Sequence, residues 1–507
     1  MELLADKLQA LSARRGEDIA VVCGSRRVSY AELASAVEYA AAAWLCDGLQ
    51  RGDRVALILQ NCVEAIVACY AVWRAGGVVV PMNAQAKSRD YEHWLAHSGA
   101  RYLVYEASDK EVERSLALLA IKPKCIVVGT ASESVSSGGA MWADWLATQG
   151  YNGVEQRARV EPAELALLLY TSGTTGRPKA VMLSHENLSA NVAAIAKYLK
   201  LTHSDSIVSV LPFYYSYGSS VLHTHLFVGA RLVIERNLVF PHAVVETLAR
   251  ERATGFSGVP STYALLLSRV PLAKYDLSAL RYLTQAGGAM APSLTMRLLE
   301  TMPQAQLFVM YGQTEATARL TYLPPEYLRE KLGSVGVGIS GVQIEVRDEH
   351  GQVAPSGVIG DIWARGPNVM MGYWQDPAAT SAALKDGWLK TGDMGHMDAD
   401  GYLFLSGRRG DMIKAGAHRV HPKDVEEVIA ELPSVAEVAV VGVEDELLGQ
   451  VIKAFIVPVE VGQLDVNAVK AHCRERLAIY KIPKYIELVA DLPKTASGKV
   501  RRAELAG

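Results

Sequence analysis

The chain has 507 residues, half of them hydrophobic and about a fifth charged, a length that suffices for more than one domain. The 51 lysines and arginines and 54 acidic residues give a formal net charge of −3. This charge argues against a general affinity for nucleic acid or for an anionic membrane, so small molecules are the expected partners.

The cysteines and the apolar stretches indicate the compartment. The six cysteines are scattered, with no CxxC pair and no zinc-like spacing with histidine. Most of them lie in apolar surroundings, so we expect buried thiols in a reducing compartment. The N-terminus carries acidic residues early and lacks the apolar core of a secretory signal. The most apolar stretch, Val55 to Met82, is interrupted by Glu64 and Arg74, so no membrane span is predicted. We expect a cytoplasmic protein.

The first 160 or so residues alternate between helix and strand patterns. Helices are predicted over Tyr30 to Trp44 and Asn61 to Ala75. Short strands are predicted at Arg54 to Leu59, Gly77 to Pro81, Tyr102 to Tyr105 and Cys125 to Val128. The small, polar stretch Ala131 to Ala140 is interpreted as a loop. Such alternation predicts parallel sheets with helices on both faces.

A loop of small polar residues follows a predicted buried strand, Leu165 to Tyr170. Its glycines let backbone N–H groups point at one anion, and its hydroxyls add donors. The loop consists of Thr171, Ser172, Gly173, Thr174, Thr175 and Gly176. Lys179 adds a positive charge, but Ala180 follows it, which excludes the GxxxxGK[ST] pattern of P-loop NTPases. The loop therefore predicts a phosphate site, and the segment after it is predicted to be helix-like.

The full string YTSGTTGRPKAVMLSHENL closely resembles the phosphate loop of the adenylate-forming superfamily, which includes acyl-CoA synthetases, nonribosomal peptide adenylation domains and firefly luciferase. The resemblance implies activation of a carboxylic acid with ATP and Mg²⁺ to give an acyl-AMP. Such a reaction needs a binding site for the triphosphate, a metal ion, a binding site for adenosine and a cation near the carboxylate.

The same rhythm of strands and helices continues after the loop. Strands are predicted at Ile207 to Leu211, Arg231 to Ile234 and Gly255 to Val259, with a helix over Pro241 to Glu251. From Gly333 onward short strands are separated by turn residues, at Val342 to Val346, Gly360 to Ala364 and Tyr402 to Leu405. We therefore predict a second α/β subdomain followed by a small β-rich subdomain.

The resemblance also implies a pocket for the carboxylic acid. It is formed by Tyr214, Tyr215, Tyr217, Gly258 and Gly287. In relatives that activate amino acids, an aspartate commonly occupies the position of Tyr214 and pairs with the α-ammonium group. A buried ammonium without a carboxylate is costly, so a standard α-amino acid is disfavoured. The tyrosine cluster suits an apolar or partly polar organic acid, and core packing is an equal alternative.

Two further motifs resemble the family's nucleotide site. In Tyr311-Gly312-Gln313-Thr314-Glu315, the resemblance implies that Thr314 donates to the α-phosphate, that Glu315 binds magnesium and that Tyr311 lies against adenine. The turn containing Gly288 and Ala289 resembles the segment that approaches the base.

The ribose is assigned to two residues further along the chain. Asp393 matches the acid of the family's TGD motif, which accepts hydrogen bonds from the ribose hydroxyls, and Arg408 matches the arginine that joins it. A lone aspartate in such a turn would more often be a capping residue.

The C-terminal segment has the pattern of a separate α+β domain. Its predicted elements are a helix over Pro422 to Leu432, strands at Val435 to Val443 and Ile452 to Pro458, and a helix over Asp465 to Leu477. We predict an α/β fold with a large N-terminal domain (1–407) of two parallel-type subdomains plus the β-rich one, a hinge (408–411) and a small mobile C-terminal domain (412–507). The hinge has Gly410 where the family usually carries Asp or Lys, and Ala417 replaces a common family glycine near the thiol path.

The cation near the carboxylate is assigned to Lys499. It lies in Leu492-Pro493-Lys494-Thr495-Ala496-Ser497-Gly498-Lys499, which resembles the family's C-terminal PxTxSGK motif. A lysine near a chain end is ordinarily a solvated charge. The resemblance implies that Lys499 bridges the substrate carboxylate and the α-phosphate.

The predicted function is activation of a carboxylic acid to acyl-AMP, followed by transfer to a pantetheine thiol. Coenzyme A is the preferred acceptor, and the phosphopantetheine of an acyl or peptidyl carrier protein is the alternative. A non-catalytic nucleotide-binding module is the alternative of another class, although Lys179, Glu315, Asp393, Arg408 and Lys499 are all present. The sequence leaves the acid and the oligomeric state open.

Overall fold

The computed structural model describes residues 2–129, 138–149, 159–171, 178–236, 240–415, 418–445, 449–460, 462, 464–495, 498 and 500–506. The chain forms two compact units. The first consists of Met1–Arg236, Gln313–Arg319 and Gly366–Gly387, and the second of Asn237–Gly312, Leu320–Arg365 and Trp388–Gly507.

The first unit alternates helices and strands along most of its length. Its helices are Leu4–Arg15, Tyr30–Cys46, Val63–Arg74, Ser88–Ser98, Lys110–Leu118, Trp142–Gln149, His185–Tyr198, Ser216–Val228 and Pro377–Ala383, with a 3-10 turn at Thr314–Ala316. Its strands are Ile19–Cys23, Arg26–Ser29, Arg54–Ile58, Val78–Pro81, Tyr102–Glu106, Lys124–Val128, Ala140–Met141, Leu165–Thr171, Lys179–Ser184, Ser206–Ser209, Arg231–Ile234, Gly372–Tyr373 and Leu384–Lys385.

The sheets of the first unit are parallel at their centres, as predicted. In one sheet Val78–Pro81 pairs in parallel with Arg54–Ile58, which pairs in parallel with Tyr102–Glu106. In the other, Arg231–Ile234 lies parallel to both Ser206–Ser209 and Ile19–Cys23. Buried aliphatic and aromatic side chains fill the space between the first sheet and its helices. The predicted loop at 131–140 lies mostly outside the described residues.

The prediction for the segment after the phosphate loop is wrong in its first part. Lys179–Ser184 is a strand that runs antiparallel to Leu165–Thr171, and the helix begins only at His185. Ser184 caps that helix, since its hydroxyl accepts from the Asn187 N–H at 3.1 Å. The buried, β-branched Val181 suits a strand, so pairing with the neighbouring strand prevails over the helix-like pattern.

Two buried histidines of the first unit should make the stability of the folded protein depend on pH. Burial lowers the pKa of His223 to about 3 and that of His185 to about 4. Tyr70 Oη lies 3.0 Å from His223 Nδ1, and the Glu164 charge opposes the shift at His185. Both imidazoles are therefore neutral in the folded state near neutral pH.

Stability is expected to fall as the pH drops below about 6.5, because the unfolded chain binds protons that the folded chain excludes. At pH 5 each histidine would cost about 2 kcal/mol. Urea unfolding midpoints between pH 5 and 7 should therefore depend less on pH for His223→Gln than for the parent. The exposed His350→Gln is the control, and equal slopes in all three proteins would contradict the prediction.

The second unit joins a short parallel sheet to an antiparallel one. Its helices are Pro241–Arg250, Pro260–Arg269, Pro292–Thr301, Pro422–Ile429, Val466–Arg476 and Arg502–Leu505, with 3-10 turns at Leu272–Lys274, Pro325–Tyr327, Arg409–Asp411 and Ile479–Lys481. Its strands are Gly255–Gly258, Tyr282–Gln285, Gln306–Tyr311, Thr321–Leu323, Ser334–Gly338, Gln343–Arg347, Gly360–Arg365, Trp388–Met397, Leu403–Arg408, Ile413–Ala415, His418–Val420, Val435–Asp445, Gly449–Pro458 and Tyr485–Leu488.

The pairing in this unit confirms the predicted β-rich and C-terminal parts of the fold. Strands 255–258, 282–285 and 306–311 are parallel, and those from 321 to 408 pair antiparallel. In the C-terminal part, Val435–Asp445 and Gly449–Pro458 form a long antiparallel pair. The helices Pro422–Ile429 and Val466–Arg476 share an apolar cluster with this pair. The hinge at 408–411 stays a prediction.

Among the described residues, no helix has both the length and the apolar composition that crossing a membrane would require.

Candidate active site

The predicted phosphate loop is framed by a strand pair. Leu165–Thr171 and Lys179–Ser184 are antiparallel, with Thr171 opposite Lys179. The Thr171 hydroxyl also donates to the Lys179 carbonyl at 3.4 Å. The base of this hairpin therefore fixes where Lys179 lies. Positions 172–176, which carry the other predicted phosphate ligands, lie outside the described residues, and their role stays a prediction.

Lys179 and Glu315 contact the same side chain, Tyr373. The Lys179 ammonium lies 4.9 Å from the centroid of the Tyr373 ring, within the range of a cation–π interaction. The Tyr373 hydroxyl donates to Glu315 Oε1 at 2.9 Å, a hydrogen bond strengthened by the carboxylate charge. One tyrosine thus links two predicted site residues that lie far apart in the sequence.

Tyr373 belongs to none of the motifs that predict the site from the sequence. It reaches Lys179 because the strand Gly372–Tyr373 pairs antiparallel with Lys179–Ser184. Gly372 has φ of +145°, and a Cβ there would lie 2.7 Å from Thr380 Cγ2, so this position favours glycine. In the sequence, Gly372 followed by an aromatic residue is the one local indication of a special position. Its distance along the chain does not predict contact with the phosphate loop.

The turn that carries Glu315 is held by Asn368. Thr317, directly after the 3-10 turn Thr314–Ala316, has φ of +66°, a strained value for a β-branched residue. Its hydroxyl donates to the Asn368 carbonyl at 2.7 Å, and Asn368 Nδ2 donates to the Arg319 carbonyl at 2.7 Å. Asn368, which also belongs to none of those motifs, therefore helps to fix the strained turn.

The side chains of this turn fit a nucleotide-bound magnesium ion. Magnesium in such sites takes one or two carboxylates and completes its shell with phosphate oxygens and water. Glu315 supplies one carboxylate, already oriented by Tyr373. Thr314 precedes it, and its hydroxyl donates to Ser216 Oγ at 3.3 Å. The side chains of this turn therefore suit a magnesium ion that is bound partly by Glu315 and partly by phosphate oxygens of ATP.

The second unit brings together three of the five residues predicted for adenosine, Tyr311, Asp393 and Arg408. Asp393 lies opposite Arg408 in an antiparallel pair. Tyr311 Oη donates to Asp393 Oδ2 at 2.6 Å, and Arg408 Nε donates to Asp393 Oδ1 at 3.3 Å. Burial and the Asp393 charge raise the pKa of Tyr311, so its hydroxyl remains a donor at neutral pH. Both carboxylate oxygens are thus held in place, as an acceptor for ribose hydroxyls requires.

Replacing Asp393 by asparagine is expected to weaken ATP binding about tenfold or more, because charge-assisted hydrogen bonds are lost. The ATP concentration needed for half-maximal pyrophosphate exchange measures this effect. Asp400→Asn is the matched control: Asp400 lies in the turn of the same hairpin, and Asp398 still pairs with Lys331 in that variant. Equal ATP requirements for both variants would exclude the adenosine role.

The glycine turn of the second unit packs closely on Val259. Gly287 has φ of +88°, and a Cβ on it would lie 3.1 Å from Val259 Cγ1. Gly288 and Ala289 follow as exposed residues, with the Gly288 carbonyl accepting from Gln285 Nε2 at 2.8 Å. A Cβ on Gly258 would lie 3.1 Å from Thr262 Cβ. The turn is therefore tightly packed at Gly287, against Val259, and exposed at Gly288 and Ala289.

The tyrosines of the predicted acid pocket differ in exposure. Tyr214 is 7% exposed, whereas Tyr215 and Tyr217 are partly exposed. The rings of Tyr214 and Tyr215 lie 4.6 Å apart, and Tyr217 lies under the Arg319 guanidinium at 4.9 Å. Tyr214 lines a cavity of about 40 Å³ with Ser219, His223 and apolar side chains. The residues lining this described cavity include no acidic side chain.

The two remaining predicted residues lie in the C-terminal part. Lys499 lies outside the described residues, but Gly498 is described. Gly410 is exposed within the 3-10 turn Arg409–Asp411, and a Cβ there would meet no atom within 4 Å. Packing therefore does not require glycine at position 410, and its role as a hinge stays a prediction.

Comparison with known proteins gives matches over nearly the whole chain. Residues 8–374 match the model of the AMP-binding enzyme family, and residues 424–499 match that of the AMP-binding enzyme C-terminal domain. The long-chain-fatty-acid–CoA ligase of Bacillus subtilis (strain 168) is 30% identical over 531 residues, which cover 97% of this chain and 92% of that protein.

Two further similar proteins are also named as coenzyme A-dependent synthases or synthetases. Feruloyl-CoA synthase of an Amycolatopsis species is 32% identical over 487 residues, which cover 96% of this chain and 95% of that protein. The structure of O-succinylbenzoate coenzyme A synthetase from Bacillus subtilis, in complex with ATP and magnesium ion, superposes with a TM-score of 0.85. It is 29% identical and covers 99% of this chain and 98% of that chain.

Proposed function

The chain belongs to the AMP-binding enzyme family and is an adenylate-forming acid–thiol ligase, and from this premise we propose that it joins an aromatic carboxylic acid to coenzyme A. Two of its relatives named above are a feruloyl-CoA synthase and an O-succinylbenzoate coenzyme A synthetase. The observation that carries the nucleotide half of the proposal is the Asp393 carboxylate held between Tyr311 and Arg408.

The choice of an aromatic acid rests on the surroundings of Tyr214. Its ring and that of Tyr215 offer aromatic surface, which favours planar apolar groups. The cavity behind Tyr214 has room for a few water molecules at most, which disfavours a long alkyl chain there. No acidic residue lines this described cavity, which disfavours a substrate with an α-ammonium group.

In the first step, a carboxylate oxygen attacks the α-phosphorus of ATP, and the bond from that phosphorus to the bridging oxygen breaks. The products are acyl-AMP and pyrophosphate. The loop Thr171–Gly176 and Lys179 bind the phosphates, Asp393 orients the ribose, and Lys499 stabilises charge between the carboxylate and the α-phosphate. Magnesium, held by Glu315, would neutralise phosphate charge.

In the second step, the thiol sulfur attacks the acyl carbon of the adenylate. The thiol proton is released to water, the carbon–oxygen bond to AMP breaks, and thioester and AMP are released. A C-terminal domain that turns at Gly410 between the steps would remove Lys499 and admit the thiol.

The proposal is tested by measuring carboxylate-dependent ATP–pyrophosphate exchange with aromatic, short-chain, long-chain and amino acids. Coenzyme A is then added to the reaction with the best acid, and thioester formation is measured. Exchange with an aromatic acid and formation of its CoA thioester is the expected result. Preference for a long-chain acid would overturn the substrate class. Exchange without thioester would favour a carrier protein as acceptor, and no exchange with any acid would favour a non-catalytic nucleotide-binding module.

A further inference from the structure

We propose that Tyr373 is a positioning residue for the ATP–magnesium half of the site, holding the Lys179 ammonium with its ring and the Glu315 carboxylate with its hydroxyl. The inference rests on the proposed function, in which these two charged groups bind the phosphates and the metal. Tyr373 itself needs no contact with substrate in this role.

The backbone around Tyr373 fixes its place relative to the phosphate loop. Tyr373 lies opposite Val181 in an antiparallel pair, two residues beyond Lys179. The N–H of Trp374 donates to the Ala180 carbonyl at 2.8 Å, which extends this pairing toward the loop. The N–H of Tyr373 also donates to Thr380 Oγ1 at 2.9 Å. The ring therefore projects from a strand anchored on two sides.

The chemistry of tyrosine suits both contacts. A lysine and a glutamate that pair directly neutralise each other, whereas an uncharged tyrosine holds each without cancelling its charge. The ring attracts the ammonium of Lys179 at 4.9 Å, and the hydroxyl donates to Glu315 Oε1 at 2.9 Å. Both charges thus stay directed without losing their capacity to bind an anion and a cation.

Two substitutions separate the contacts. Tyr373→Phe removes the hydrogen bond to Glu315 and keeps the ring under Lys179, whereas Tyr373→Leu removes both. Tyr402→Phe and Tyr402→Leu are the matched controls, because the Lys331 ammonium lies 5.1 Å from the Tyr402 ring. Tyr402 lies at the turn of its hairpin, whereas the predicted site residues Asp393 and Arg408 pair at the other end. Thermal unfolding of each protein checks that it folds.

Equilibrium binding of a non-hydrolysable ATP analogue, titrated without acid and both with Mg²⁺ and with EDTA, is the main readout. We expect Tyr373→Phe to bind the analogue about tenfold more weakly with Mg²⁺ and unchanged with EDTA, because only the metal ligand is misplaced. The Mg²⁺ concentration for half-maximal binding should rise accordingly. Tyr373→Leu should weaken binding under both conditions, and the Tyr402 variants should match the parent.

A Tyr373→Phe protein that folds and binds the analogue with the Mg²⁺ dependence of the parent would overturn the inference. Even if Tyr373→Leu fails to fold, the phenylalanine variant decides the question. Failure of the parent protein to bind the analogue at all would instead overturn the proposed function, so the two failures are distinguishable.

Discussion

Replacing Lys499 by alanine is expected to lower acid-dependent pyrophosphate exchange about a thousandfold, because a cation aimed at the developing phosphorus charge is lost. Conversion of synthetic acyl-AMP to thioester should change less than about threefold, since that step has no need of the cation. ATP-analogue binding should remain, because Lys179 and Asp393 are intact. Measuring the two half-reactions separately therefore isolates the role of Lys499.

The described residues on either side of Lys499 support this prediction. Lys494 and Val500 form an antiparallel bridge, and the Arg501 N–H donates to the Pro493 carbonyl at 2.8 Å. A Cβ on Gly498 would lie 2.9 Å from Val259 Cγ2, on the same valine that Gly287 approaches. The hairpin thus brings the residue before Lys499 against the turn predicted to border the acid pocket.

Arg501→Ala is the matched control for charge. Its side chain is half exposed and pairs with Glu504 one helical turn on, so its loss is expected to leave both half-reactions near the parent rates. If Lys499→Ala retained exchange, or if Arg501→Ala lost it to the same degree, the assignment of the bridging cation to Lys499 would be wrong.

The parts of the fold that depend on local pattern could be predicted from the sequence. The strand Arg54–Ile58 is apolar and buried from its second residue onward, as expected for a strand covered on both faces. The helix Tyr30–Cys46 is preceded by Ser29, which forms a capping box with Glu32. The strand Lys179–Ser184 was not predicted, because its conformation depends on pairing with Leu165–Thr171 rather than on its own pattern.

The charged groups of the site could be predicted, but their supports could not. Motif order indicates Lys179, Glu315 and Asp393, whose types suit phosphate, magnesium and ribose. Tyr373 and Asn368 act through contacts made by a segment that follows Glu315 by dozens of residues, and nothing in their spacing announces such contacts. Supporting residues depend on tertiary pairing, which a single sequence does not display.

The sequence also does not show where the fold leaves no room for a side chain, and Gly218 is one such position. Gly218 lies in the first turn of the helix Ser216–Val228, and a Cβ there would lie 2.1 Å from the Pro212 carbonyl oxygen. That oxygen already accepts from the Tyr215 N–H at 3.2 Å. Asn61 holds the same loop, donating to the Leu211 carbonyl at 2.8 Å. The loop therefore has little freedom to move away from an added methyl group.

Gly218→Ala is accordingly expected to displace the loop that carries Tyr214 and Tyr215, at a cost of about 1–3 kcal/mol or more. Because the acid is bound in both half-reactions, adenylation and thioester formation should fall together, by about a hundredfold. The urea unfolding midpoint should fall as well. This joint loss contrasts with Lys499→Ala, in which one half-reaction survives.

Ser220→Ala is the control on the same helix, because it removes an atom and adds none near Pro212. The Ser220 hydroxyl donates to the Tyr217 carbonyl at 2.7 Å. Its removal is therefore expected to lower the free energy of unfolding by no more than about 1 kcal/mol. If Gly218→Ala matched Ser220→Ala in both half-reactions and in unfolding midpoint, the loop would accommodate the methyl group. If the unfolding midpoint fell but both half-reactions kept the rates of Ser220→Ala, the acid would not depend on where the backbone places Tyr214, and the proposed pocket would have to lie elsewhere.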